Sequence, residues 1–215
     1  MKTIIFDFMG IIADPNFKEI FLTSSAKEKI QALRFFVSLK KDKNLKSCFS
    51  NYQKGLIPFE KFQSDISATY SKEVPNIAKF LNKFVDSIRI NFEVLNQIEV
   101  LKKYGYQVLL MSNTIPETSQ LIYDFGLNNI FDGIILSTEL GFKKPQPEIY
   151  YYAIEEYKLK TNNTILIDDT PKNLKTAKDF GIETINLKGS KQVEKKLAKF
   201  LEHLSKTKSE NEFKI

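Results

Sequence analysis

The chain has 215 residues, 42% of them hydrophobic and 27% charged, which is enough for one well-buried core plus an appended subdomain. No apolar run approaches the ~20 residues that span a bilayer, and Asp7 interrupts the apolar opening between Lys2 and Ala13, marking a buried strand rather than an export signal. One cysteine, Cys48, permits no internal disulfide and suits a reducing, cytoplasmic setting, while one histidine, His203 in a Lys-rich segment, argues against Ser-His or Cys-His catalysis and against a His-ligated zinc.

Taken in order, MKTIIFDF reads as a buried strand, followed by a loop that ends at Asp14-Pro15. The periodicity then turns helical for about 75 residues. Ala26, Ile30, Leu33 and Val37 are spaced by three and four, as are Ile77, Leu81, Phe84 and Ile88, and each set predicts the buried stripe of a helix. Phe59, Phe62 and Ile66 mark a shorter helix after a break at Gly55, and Pro58 and Pro75 stand where a first helical turn accepts proline. No strand is predicted in this stretch. Residues 15–90 therefore read as an all-helical cap subdomain inserted between two parts of one core domain, 1–14 and 91–215.

From Phe92 on, strand and helix alternate. A helix from about Glu93 to Tyr104 ends at Gly105, and Tyr106 to Met111 follow as a strand. Pro116 begins a helix running to Gly126, then Phe131 to Ser137 extend, and Pro147 starts a helix through Tyr157. Thr164 to Ile167 form a strand, Pro171 opens a helix closing at Gly181, Ile182 to Leu187 give a last strand and Gln192 to Leu204 a last helix. Prolines open these helices and glycines close them, as their backbone preferences require. Short buried strands alternating with helices predict an α/β fold with a doubly wound parallel sheet and right-handed crossovers. The formal charge of +6 is weighted to the segment from Lys188 to Lys214. There, lysines alternate with Glu194, Glu202, Glu210 and Glu212, which predicts a solvated helix face, with neither nucleic acid nor membrane as partner.

Four apolar runs each deliver a polar group at their C-terminal ends. They are Asp7 after the first strand, Ser112 after YQVLLM, Lys144 beyond GIIL, and Asp168-Asp169 after NNTILI. Ligands of open α/β sheets bind at that edge. Each residue alone is an ordinary turn, cap or surface residue, Asp168-Asp169 an N-cap for the helix at Pro171 for instance; together they describe a convergent site. Neither G-x-G-x-x-G nor G-x-x-x-x-G-K-[ST] occurs, so hydride transfer and P-loop chemistry find no support.

FDFMGIIAD (6–14), LLMSNT (109–114), LGFKKPQPEIY (140–150) and ILIDDTPKNLKTAKDFG (165–181) resemble, in order, the motifs of the haloacid dehalogenase-like (HAD) hydrolase superfamily. The last three are close to the form found in its helical-capped phosphatases. The resemblance covers roughly 1–14 and 91–188, and the cap matches by position and helicity only. It implies a HAD-like Rossmannoid core and Asp7 as a nucleophile that forms an aspartyl-phosphate. It also implies Mg²⁺ as cofactor, held by Asp7, the backbone carbonyl of Met9, Asp169 and the neighbouring Asp168, with Asn173 close by; hard oxygen ligands suit that ion. Ser112 would bind a phosphoryl oxygen, with Asn113 and Thr114 of the same turn assisting, and Lys144 would pair with Asp7 and the phosphoryl group. The implied partner is a small phosphorylated metabolite, and Phe17, Arg34, Tyr52 and Lys54 are cap candidates for reading its organic part.

Met9 departs from the pattern, because most phosphatases of this superfamily carry there a second Asp that protonates the leaving group. A thioether donates no proton, and loss of a general acid costs about 10²–10⁴-fold. Three expectations stay open: a substrate whose leaving group departs unprotonated, a substitute acid such as Asp14, or a phospho-ligand-binding protein without turnover. A haloacid-dehalogenase-type C–X hydrolase is a further alternative, although those enzymes use Tyr at the Met9 position and generally lack the acidic pair. A receiver-type phospho-acceptor fits poorly, since its acidic pair ends the first strand.

Overall fold

The computed structural model describes residues 2–70 and 77–212. The chain opens with β1 (Thr3–Phe6) and β2 (Ala13–Pro15), then runs through α1 (Phe17–Thr23), α2 (Ala26–Lys41), α3 (Lys43–Gln53), α4 (Phe59–Tyr70) and α5 (Ile77–Asp86). After β3 (Ile88–Ile90) come α6 (Phe92–Lys103), β4 (Gln107–Ser112), α7 (Pro116–Asp124), α8 (Leu127–Ile130), β5 (Gly133–Leu136) and α9 (Ser137–Leu140). The last elements are α10 (Pro147–Glu156), β6 (Thr164–Asp168), α11 (Pro171–Asp179), β7 (Glu183–Asn186) and α12 (Ser190–Glu212). Pro75, predicted in a first helical turn, lies outside the described residues.

Five strands form one parallel sheet in the order β5-β4-β1-β6-β7. The topology follows from composition: the inner strands β1, β4 and β6 are apolar runs that bury both faces, as a parallel sheet requires, while β7 at one edge is partly exposed. Alternate side chains divide between two layers. Ile4, Phe6, Val108 and Leu110 pack with Val94, Leu95 and Ile98 of α6 and Val193 and Leu197 of α12. Ile5, Leu109, Met111 and Leu166 pack with Ile149, Tyr150 and Ala153 of α10 and Leu174 and Ala177 of α11. Pro116, Pro147 and Pro171 stand in the first turns of α7, α10 and α11.

The segment between β2 and β3 contains only helices among its described residues, with an apolar cluster of its own: Phe35, Leu45, Tyr52, Phe62, Ile66, Ile77 and Leu81, joined by Ile115 from the start of α7. Local caps set the helix starts. Asn16 accepts from the Glu19 N–H, Ser25 and Glu28 form a reciprocal capping box, and Asp42 accepts from the Asn44 and Leu45 N–H groups; each satisfies donors that a helix end leaves unpaired.

Two expectations for this segment are corrected. Helix α5 stops at Asp86, because Ser87 turns its N–H back onto Lys83 and Phe84, and Ile88 pairs with Pro15 in an antiparallel two-stranded ribbon of β2 and β3. The ribbon puts a strand where none was predicted. In α2 the predicted stripe faces outward instead: Ile30, Leu33 and Val37 are 52%, 66% and 43% exposed. Phe35 is the buried residue, packed edge-on against Phe49 at 6.3 Å and tilted against Phe80 at 6.0 Å. Aromatic contacts to α3 and α5 decide which face turns inward.

Candidate active site

The sheet register brings the four predicted positions to one edge. Phe6 is level with Leu110 of β4 and Ile167 of β6, so Asp7 emerges between Ser112 and Asp168. The Asp7 N–H donates to the Ile167 carbonyl at 3.0 Å, extending the ladder by one step and setting Asp7 against Asp168. At the same edge, one carboxylate oxygen from each of Asp7, Asp168 and Asp169 lies within 4.8 Å of the others.

Lys144 occupies the centre of this group and is 1% exposed. Its Nζ is 2.6 Å from Asp168 Oδ2 and 3.0 Å from Asp7 Oδ2, and it donates to the Met111 carbonyl at 2.8 Å. The backbone that carries it is clamped by Asn113: the Lys144 N–H donates to Asn113 Oδ1 and Asn113 Nδ2 donates to the Lys144 carbonyl, both at 2.8 Å. Asp168 also accepts from the Thr170 N–H at 2.7 Å and from Asn173 Nδ2 at 3.0 and 3.1 Å. Tyr150 donates its hydroxyl to the Asn173 carbonyl at 2.9 Å. A buried cation thus meets two carboxylates, and the remaining lone pairs are met by backbone and amide donors, as buried ions require.

Electrostatics separates the two buried acids. Burial pushes the Asp7 carboxyl up to about 7; Lys144 opposes this rise and the Asp168 charge adds to it. Burial would raise Asp168 too, but Lys144 and the donors around it hold it below the usual carboxylate range. Lys144 is itself held above the usual ammonium range, its two carboxylates outweighing its desolvation. Three carboxylates against one ammonium leave an excess of negative charge on hard oxygen donors, which a small divalent cation fits. Asp169 is half-exposed, with Oδ1 accepting from the Thr170 hydroxyl at 2.9 Å. Gly10, at φ +78°, leaves room for it, since a Cβ there would stand 2.8 Å from Asp169 Oδ2.

The remaining predicted residues fall in distinct places. Ser112 ends β4, 1% exposed, with its hydroxyl unbonded to described residues. Asn113 positions Lys144, as described above. Thr114 is engaged locally: its N–H donates to Ser137 Oγ at 2.9 Å, and its hydroxyl accepts from Ser119 at 2.8 Å and lies 3.2 Å from the Thr138 hydroxyl. Met9, half-buried, bridges to Ala13. Asp14 lies in β2, where Oδ2 accepts from the Ser190 N–H at 2.8 Å, capping α12. Among the cap candidates, Tyr52 is fully buried and donates to Glu117 Oε1 at 2.6 Å, Phe17 and Arg34 are exposed, and Lys54 is half-buried. Sequence reasoning passed over Gln53, Ser137 and Lys143, where the helical segment meets the sheet; no spacing signal marks them.

The chain matches the model of the haloacid dehalogenase-like hydrolase family over residues 4–187 and belongs to that family. Among curated relatives, it is 25% identical to the bifunctional epoxide hydrolase 2 of Mus musculus over 86% of this chain, and it spans only 36% of that protein's length. It is 26% identical to the D-ribitol-5-phosphate phosphatase of Bacteroides thetaiotaomicron over 86% of this chain and 90% of that one. It is likewise 26% identical to the glyceraldehyde 3-phosphate phosphatase of Methanocaldococcus jannaschii, over 87% and 85%. Of solved structures, a predicted HAD-like hydrolase from Porphyromonas gingivalis superposes with TM-score 0.72 at 23% identity, covering 94% of this chain and 98% of that one. A HAD family enzyme from Bacteroides thetaiotaomicron, an Asp-to-Ala mutant solved with magnesium and inorganic phosphate, gives 0.66 at 22% over 86% and 93%. A dehalogenase gives 0.63 at 18% over 86% and 84%.

Proposed function

We propose that the chain is a Mg²⁺-dependent phosphohydrolase acting on a small phosphorylated metabolite through an aspartyl-phosphate on Asp7. The observation that carries this reading is Lys144, buried between Asp7 and Asp168 with Asp169 alongside, at the edge where Ser112 also ends. The names of the two phosphatase relatives support the substrate class. Asp7 and Asp169, with the Met9 carbonyl, would hold the cation. Asp168 has both oxygens engaged by protein donors, so its first task is to seat Lys144. A divalent cation bound there would offset the charge of the phosphoryl oxygens.

An Asp7 carboxylate oxygen attacks phosphorus and the bond to the leaving oxygen breaks; water then attacks the aspartyl-phosphate, freeing inorganic phosphate and restoring Asp7. The Lys144 ammonium, its three N–H groups engaged by Asp7, Asp168 and the Met111 carbonyl, acts as a fixed positive charge toward the phosphoryl oxygens, and the Ser112 hydroxyl donates to them. The helical segment serves as a cap that shields the edge from water. Met9 supplies no proton, and Asp14 is engaged at α12, so the reading favours a leaving group that departs as a stabilised anion. The test is a Mg²⁺-dependent screen of phosphorylated metabolites with Asp7→Asn as control. Phosphate release should fall by about 10³-fold or more in the variant; release that survives it would dismiss Asp7 as nucleophile.

A further inference from the structure

The C-terminal end of α3 is pressed onto the sheet edge. Gly55, at φ +66°, comes so close to α9 that a Cβ on it would stand 2.1 Å from the Thr138 carbonyl oxygen. Ser137 Oγ donates to the Gln53 carbonyl at 2.6 Å and accepts from the Thr114 N–H at 2.9 Å, which ties this loop to the turn two residues beyond Ser112. Lys143 enters the same seam. Its Nζ donates to Gln53 Oε1 at 2.5 Å, and Lys54, the next residue after Gln53, puts a second positive charge on the same loop.

Neither lysine is neutralised. Both are half-buried, and neither forms an ion pair with a carboxylate among the described residues. Burial, and then the Lys54 charge, push the Lys143 ammonium down to about 8. Two like charges held together away from bulk water oppose folding unless something anionic joins them. The ammonium groups of adjacent Lys143 and Lys144 end on different parts of the molecule, one on the helical segment and one under the sheet edge. An anion on Lys143 and Lys54 and a phosphoryl group beside Lys144 would thus be held by different elements.

We propose that Lys143 and Lys54 form a seat for a second anionic group, carboxylate or phosphate, at the far end of the phosphorylated substrate. This rests on the phosphohydrolase reading for the substrate's reacting end. It makes the seam between helical segment and sheet the place where a doubly anionic metabolite is told from one with a neutral tail.

The test is calorimetric binding at pH 7 to the full chain carrying Asp7→Asn, with Mg²⁺ present. Three probes share a six-carbon chain: glucitol 6-phosphate with a neutral tail, 6-phosphogluconate with a carboxylate, and glucitol 1,6-bisphosphate with a second phosphate. At least one doubly anionic probe should bind about tenfold or more tighter than the neutral one, as a paired, partly desolvated charge warrants. Which of the two gains more identifies the anion. Adding Lys143→Gln, or separately Lys54→Gln, should bring that ratio close to one, and Lys143→Arg should preserve it. Equal affinity for all three probes, or a ratio untouched by both glutamine variants, would overturn the seat. Because the ratio is read without the nucleophile, it stands apart from turnover. Failure of the phosphohydrolase reading appears elsewhere, as a wild-type chain that releases no phosphate from any substrate.

Discussion

Lys144 shows why single residues at this site have effects of opposite sign. It compensates two buried carboxylates, yet Asp7 still carries a desolvation cost that its share of the ammonium does not remove. The folded chain therefore binds a proton at Asp7 more tightly, at about 7, than the unfolded chain at 3.8. Between those values the folded state holds a proton the unfolded state has lost, so this residue's contribution to stability falls as pH rises, and the cost is complete above about pH 7. Asn carries no such charge. In EDTA, Asp7→Asn should gain stability over the wild type as pH rises from 4 to 7 and level off above, read as urea midpoints at each pH. A difference independent of pH would show that Asp7 is not desolvated. Met9 gives the second prediction at this scale. With no acid two residues beyond Asp7, hydrolysis rates across a series of aryl and alkyl phosphates should fall steeply as leaving-group pKa rises; a flat dependence would reveal another proton donor.

Among the elements, α2 separates what a pattern tells from what packing decides. Its sequence offers two helically spaced apolar sets, Ala26/Ile30/Leu33/Val37 and Phe35/Leu39, and periodicity alone does not choose between them. The choice is made by Phe49 and Phe80, which arrive from α3 and α5. Phe35→Ala should accordingly cost about 3–5 kcal/mol in chemical unfolding, whereas Leu33→Ser, at 66% exposure, should stay within about 0.5 kcal/mol. The end of α5 was illegible for a related reason, since Ile88 continues the i, i+4 spacing but is claimed by Pro15 across the ribbon. The sheet strands were legible because a continuous apolar run between turn residues has few other uses in a parallel sheet. The partners of Thr114 and Asn113 were not, because Ser137 and Lys144 lie 23 and 31 residues away.

At the scale of the whole molecule, a rigid parallel sheet supplies the carboxylates and Lys144, and a helical segment with its own apolar cluster rests on the same edge through the 53–55 loop. The spacing of four motifs made the sheet's part readable, while the resting surface depends on contacts that no short motif encodes. Gly55→Ala tests how much that surface matters. A side chain at this left-handed position adds roughly 1–2 kcal/mol of backbone strain and collides with Thr138. The variant should keep its sheet intact while α3 exchanges amide hydrogens faster, and Mg²⁺-dependent phosphate release should weaken. Unchanged exchange in α3 would mean that the loop relaxes freely.

Ile115 has a role beyond filling space. It leaves β4 three residues past Ser112 and is 5% exposed, yet the side chains it packs among belong to the helical segment. Parting the helical segment from the sheet edge would wet that side chain and separate Ser137 from Gln53. The resting state is thus a latched door, with an oily bolt drawn from the sheet's own threshold.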